Sequence, residues 1–204
     1  MAVLSGRDAG RWEQLGQRVA DVLEPILGRR VLAGRSIRSG EEWRPEALGP
    51  ALRRARLGAE RLAAGSSVVV RTDVRDFYPS IDPSMLYRCL CRVGLPAEEV
   101  NTASAMLEGW GSDGYPGLPV GPPASAVLSN TVLVPVDEAL GDGAWLRWCD
   151  DLLIGVGGEA DADRVIDRLD VELAGLGLER SGPKTHILEG TAVRWPGPAS
   201  SVLR

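Results

Sequence analysis

Residues 145–156 read WLRWCDDLLIGV, and this stretch decides the fold. Two short apolar runs flank Cys149, Asp150, Asp151 and Leu152, a pattern that predicts two strands folded about an acidic turn. Upstream, Ser66–Asp73 (SSVVVRTD) is short and β-branched, a buried strand that ends on a third carboxylate, Asp73. Like charges gathered at strand ends cost energy in a dry site unless a cation neutralises them, and hard oxygen ligands suit Mg²⁺. Taken alone, Asp150-Asp151 reads more readily as an ordinary acidic turn than as a pair of metal ligands.

Helical spacing fills most of the remainder. Residues 11–27 place Trp12, Leu15, Val19, Val22, Leu23 and Ile26 on one face, and a second helix is expected from about Pro45 to Ala64. Residues 31–46 between them are rich in Gly and Arg and read as irregular. Asp82-Pro83 is a cap followed by a first-turn proline, and a further helix is expected near 96–109. Pro122-Pro123 opens an apolar helix towards Leu140 with a kink at Pro135; residues 159–176 form an amphipathic helix, and 184–189 a last strand. From residue 66 the order β-α-α-ββ-α-β predicts an α+β fold, with helices on one face of an antiparallel sheet.

Composition narrows the function. The chain has 204 residues, 44% of them hydrophobic, which suits a buried core and not disorder. No apolar run approaches a membrane span and no secretion signal opens the sequence, so a cytoplasmic protein without membrane association is expected. Cys89, Cys91 and Cys149 form no metal-type CxxC pair and read as reduced thiols. The single histidine, His186, lies far from any nucleophile signature, which argues against a serine or cysteine hydrolase. The net charge of −5 hides a split: Arg29–Arg61 holds nine arginines against four acidic residues, a local +5. That segment is either a solvated helix face or a basic lobe facing phosphate.

Four ordered blocks carry a family likeness: VVVRTDVRDFYPSI (68–81), GLPVGPPASAVLSN (117–130), RWCDDLLI (147–154) and LGLERSGPKT (176–185). Together they resemble the palm of reverse transcriptases, in the bacterial branch of group II intron, retron and phage-defence types. The likeness covers Ser66–Glu189, about 60% of the chain. It implies a ferredoxin-like palm over 66–190, a short, basic, helical fingers-like segment over 1–65 and a loose tail over 191–204.

The resemblance also assigns roles. Asp73, the Val74 carbonyl, Asp150 and Asp151 match the holders of two Mg²⁺ ions, for which Mn²⁺ may substitute. Asp76, Phe77, Tyr78, Val120 and Gly121 fall where the family contacts the incoming nucleotide. Tyr78 matches the aromatic that crowds a 2′-hydroxyl, against the plain reading of Phe77 and Tyr78 as core aromatics. Lys184, the only lysine beside 22 arginines, matches a residue that protonates pyrophosphate, against a chance surface lysine. Arg35 and Arg38 are candidates for the triphosphate; Arg53, Arg56 and Trp148 for nucleic acid. Trp148-Cys149 replaces the family's usual tyrosine and small residue, and Val120 its frequent glutamine.

The implied activity is addition of deoxynucleotides to a primer 3′-hydroxyl on an RNA or DNA template, with dNTP, template and primer as partners. Twenty residues follow Lys184, which leaves no room for the family's thumb, so a second copy or a partner subunit is expected to supply one. Two other readings stay open: template-independent or protein-primed nucleotide addition in phage defence, and a non-catalytic nucleic-acid-binding or assembly subunit that kept the palm.

Overall fold

The short apolar runs VVVRT and DLLIGV become the central strands of the sheet, and amphipathic runs of helical period become helices. A computed structural model describes residues 6–193. Along the chain, α1 (Gly6–Leu23) precedes β1 (Ser36–Ser39), β2 (Glu42–Pro45), α2 (Leu48–Ala64) and β3 (Val68–Thr72). A one-turn α3 (Phe77–Ser80) leads to α4 (Pro83–Arg92), α5 (Ala97–Ser112) and α6 (Pro123–Leu140). The hairpin strands β4 (Ala144–Trp148) and β5 (Asp151–Val156), then α7 (Glu159–Gly175) and β6 (His186–Glu189), complete the order. The tail expected from Trp195 lies outside the described residues.

The chain divides into two compact units. One takes residues up to Leu27, Gly34–Glu46 and Asp76–Val134. Its core forms around Trp12, fully buried, whose indole N–H donates to Ser125 Oγ at 2.9 Å and whose ring meets Trp110 edge-on. Asp82 caps α4 as its sequence predicts, its carboxylate accepting the Met85 N–H. The expectation of irregular chain over 31–46 is corrected: β1 and β2 pair as a hairpin, with Ser39 opposite Glu42 across the turn Gly40-Glu41. Gln17 of α1 clamps that hairpin, its amide oxygen accepting from the Trp43 N–H and its NH₂ donating to the Trp43 carbonyl.

The other unit takes Gly28–Ala33, Ala47–Arg75 and the residues from Pro135 onward. Its sheet runs β4-β5-β3-β6, antiparallel throughout. The inward side chains of α2 split between two clusters: Ala59 and Leu62 pack with Val69 and Leu153, and Ala51 and Ala55 pack with Leu32, Ala33 and Trp148. Helix α7, with Leu169 and Leu173 buried, packs against β3 and β5. Helix α6 continues through Pro135, whose ring removes one N–H donor without ending it.

Candidate active site

Strand register brings the acidic residues together. Thr72 pairs with Leu152 and Trp148 with Asp151, so Asp73 follows the end of β3 where Asp151 begins β5. Antiparallel neighbours stand about 5 Å apart. Asp150 lies in the turn between β4 and β5, which has only two residues, Cys149 and Asp150. Beyond β3, the Asp73 carbonyl accepts from Ser181 N–H and the Glu179 carbonyl from Arg75 N–H, both at 2.8 Å. Val74, bridged to Arg180 between those bonds, therefore turns its own carbonyl to the opposite edge, the edge on which β5 lies.

The electrostatics are those of carboxylates short of positive charge. Asp73 is 5% exposed; its Oδ2 takes the Lys184 ammonium, and its Oδ1 is buried without a hydrogen-bond partner among the described residues. Burial pushes Asp150 up to about 6, with the Asp151 and Asp73 charges adding to the rise and Lys184 opposing it. Asp151 is also raised, first by burial and then by Asp73, against Arg71 and Lys184. The hydrogen bond to Asp73 raises Lys184, which stays protonated on a side chain 69% exposed. Among the described residues no three carboxylate, thiol or imidazole side chains stand as a ready metal-holding group. The donor chemistry nonetheless fits a hard cation, because an orphaned buried carboxylate oxygen and two carboxyls pushed towards protonation both gain from added positive charge.

A polar network holds Lys184 in place. It ends a 3-10 turn, Gly182–Lys184, and its N–H donates to the Ser181 carbonyl. Next to it, the Thr185 hydroxyl bonds Thr72 Oγ1 and the Ser181 carbonyl and accepts from Arg180 Nη1. Arg180 in turn clamps both oxygens of Asp170 on α7. Sequence reasoning named neither Arg180 nor Asp170; the signal was an arginine just before the GPKT turn, ten residues after an acid on α7.

The residues expected at the nucleotide lie in the first unit. Asp76 is exposed in the left-handed region, with φ of 44°. Phe77 is buried and meets Tyr78 edge-on at 5.7 Å. The Tyr78 hydroxyl lies 3.5 Å from Ser129 Oγ, and its carbonyl accepts from Leu118 N–H. Val120 is 52% exposed, and Gly121 has φ of 118°, which favours glycine. Gly117 was the overlooked member: a Cβ there would stand 2.1 Å from the Tyr78 carbonyl oxygen. Arg35 is held by Glu24 at 2.8 Å, whereas the half-exposed Arg38 lies over the Trp43 ring. In the second unit Arg53 and Arg56 are exposed, Arg56 beside Glu60. Trp148 is 6% exposed within the α2 cluster, which leaves little of its ring to meet nucleic acid.

The model of the family "Reverse transcriptase (RNA-dependent DNA polymerase)" matches residues 17–198. The chain belongs to the reverse transcriptase family. That membership makes the antiparallel sheet a polymerase palm. Among solved structures the fold matches apo telomerase from Candida Tropicalis, with a TM-score of 0.60 and 12% identity over 91% of this chain. This reverse-transcriptase-family chain covers 37% of the telomerase chain. No curated protein matches it by sequence. Among the described residues no helix is long and apolar enough to cross a membrane.

Proposed function

We propose that this chain is a Mg²⁺-dependent nucleotidyltransferase of the reverse-transcriptase type, adding deoxynucleotides to a primer 3′-hydroxyl on an RNA or DNA template. The observation that carries the reading is the buried Asp73 carboxylate, with one oxygen on Lys184 and the other unpartnered, beside the β5 end that bears Asp151. Asp73, Asp150, Asp151 and the Val74 carbonyl would hold the ions. When bound, Mg²⁺ or Mn²⁺ lowers the pKa of the attacking hydroxyl and stabilises the leaving pyrophosphate. Lys184 has a proton to give at the same carboxylate and serves as general acid to that leaving group.

Tyr78, braced by Phe77, is the proposed filter against a 2′-hydroxyl, and Asp76, Val120 and Gly121 are its proposed neighbours on the nucleotide. To reach a triphosphate, Arg38 would have to leave Asp21, at 3.5 Å on the surface, and Arg35 the more buried Glu24. Arg53 and Arg56 are proposed to track a phosphate backbone. Cys89, Cys91 and Cys149 form no disulfide among the described residues, which suits the reducing cytoplasm.

The test is incorporation of labelled deoxynucleotide by the purified chain in Mg²⁺ or Mn²⁺, with and without primed RNA. Incorporation that needs the template supports the reading. Incorporation without it selects template-independent or protein-primed addition, and salt-sensitive RNA binding alone selects a non-catalytic subunit. The mass of the complex in the same mixture reveals whether a second copy of the chain takes part.

A further inference from the structure

The two-residue turn that carries Asp150 is conformationally demanding. Cys149 has φ of 53°, in the left-handed region that L side chains rarely adopt. Glycine or asparagine is the usual residue there. Something outside the turn must hold it.

That support comes from two positions earlier in the chain. Arg147, on β4, has a side chain with 0% exposure. Its Nε and Nη2 donate to the two oxygens of Asp137 on α6, at 2.8 and 2.6 Å. Its remaining terminal nitrogen, Nη1, donates to the Cys149 carbonyl at 2.9 Å. A planar guanidinium can face a carboxylate with one edge and a carbonyl with another, in a fixed relation, and a lysine ammonium cannot. A buried ion pair adds little net stability over well-packed apolar residues, so its use here is better accounted for by what it orients. The backbone of Arg147 is tied as well: its N–H donates to the Arg30 carbonyl and its own carbonyl accepts from Leu32 N–H, both at 2.9 Å.

We propose that Arg147, locked by Asp137, is a positioning residue: it holds Cys149 in the left-handed conformation and thereby sets the direction in which Asp150 and Asp151 leave the turn. Its catalytic consequence rests on the nucleotidyltransferase reading, whereas its conformational consequence does not.

The experiment compares the full chain with Arg147→Lys and with Arg147→Lys/Cys149→Gly. Backbone chemical shifts of residues 149–151 report the turn, thermal melting reports the fold, and single-nucleotide addition on primed RNA reports kcat and KM. Arg147→Lys is expected to move the shifts of residues 149–151, leave melting cooperative and lower kcat at least tenfold. Adding Cys149→Gly, which takes a positive φ without strain, is expected to recover most of that loss. Should Arg147→Lys fail to fold, Asp137→Asn is read instead; it loosens the clamp while keeping the arginine. Shifts of 149–151 that match the parent in a folded variant overturn the positioning role. A folded parent that adds no nucleotide overturns the nucleotidyltransferase reading, and the shift comparison still decides the role of Arg147.

Discussion

At Lys184, the only lysine of the chain, position and chemistry coincide: its ammonium meets Asp73 and keeps its proton. Arginine at this position keeps the charge but holds its proton too tightly to release it to pyrophosphate. Lys184→Arg is therefore expected to slow nucleotide addition roughly a hundredfold in single-turnover kinetics with KM for dNTP within about threefold; equal rates would remove the general-acid role. Tyr78→Ala is expected to raise ribonucleotide use relative to deoxynucleotide by roughly tenfold or more, measured as a kcat/KM ratio, because the lost ring no longer excludes the 2′-hydroxyl. Asp150 makes a prediction about stability. Its folded value of about 6, against 3.8 for a free carboxyl, means that the fold binds a proton which the unfolded chain has already released. In chelator-containing buffer the parent should be most stable at the acid end of that window and lose about 2 kcal/mol as pH rises through it, after allowance for solvent screening. Asp150→Asn should flatten that slope, leaving the part that the raised Asp151 contributes, in denaturant melts at pH 4 to 7 (the range is set by the same two values); parallel slopes would contradict the burial account.

At the scale of elements, the hairpin β4–β5 and strand β3 were legible because apolar runs bounded by acids leave few other solutions, whereas the acidic pair alone reads as a turn and only the four ordered blocks around it suggest a site. Helices α1, α2 and α7 follow from their apolar spacing, and α6 from its opening prolines and apolar run. The hairpin β1–β2 was not legible: its strands have four residues each, Ile37 is exposed, and the arginines that dominate it mask the Gly40-Glu41 turn. Arg147 was overlooked for a related reason. Local reading assigns an arginine to solvent, and only the register of β4 with its buried partner Asp137 reveals that it points inward. Gly117 depends on a contact 39 positions away in sequence, with Tyr78, that no local pattern encodes. Its φ of 72° and the missing Cβ space together predict that Gly117→Ala costs more than about 2 kcal/mol in chemical denaturation. A change below about 0.5 kcal/mol would show that this loop relaxes freely.

Over the whole molecule, charge is segregated although the net value is −5. The surface of α2 displays Arg53, Arg56 and Arg61, while Asp73 follows the end of β3, Asp151 begins β5 and Asp150 lies in the turn before it. An exposed pair such as Arg56–Glu60 holds its partner by well under 1 kcal/mol, so Arg56 remains available to phosphate. If α2 tracks a nucleic-acid backbone, RNA affinity should fall steeply with salt, and Arg53→Ala with Arg56→Ala should reduce the log–log slope by about 1 each; an unchanged slope would return these arginines to a solvated face. The central claim is that Asp73, Asp150 and Asp151 together support metal-dependent nucleotidyl transfer. Its most direct test is single-nucleotide extension of primed RNA in Mg²⁺ by the parent and by a folded Asp73→Asn chain. The account predicts extension by the parent and a loss of at least roughly a thousandfold in the variant, about 4 kcal/mol of barrier. Equal extension by the two proteins, or none by a folded parent in either Mg²⁺ or Mn²⁺, would contradict it.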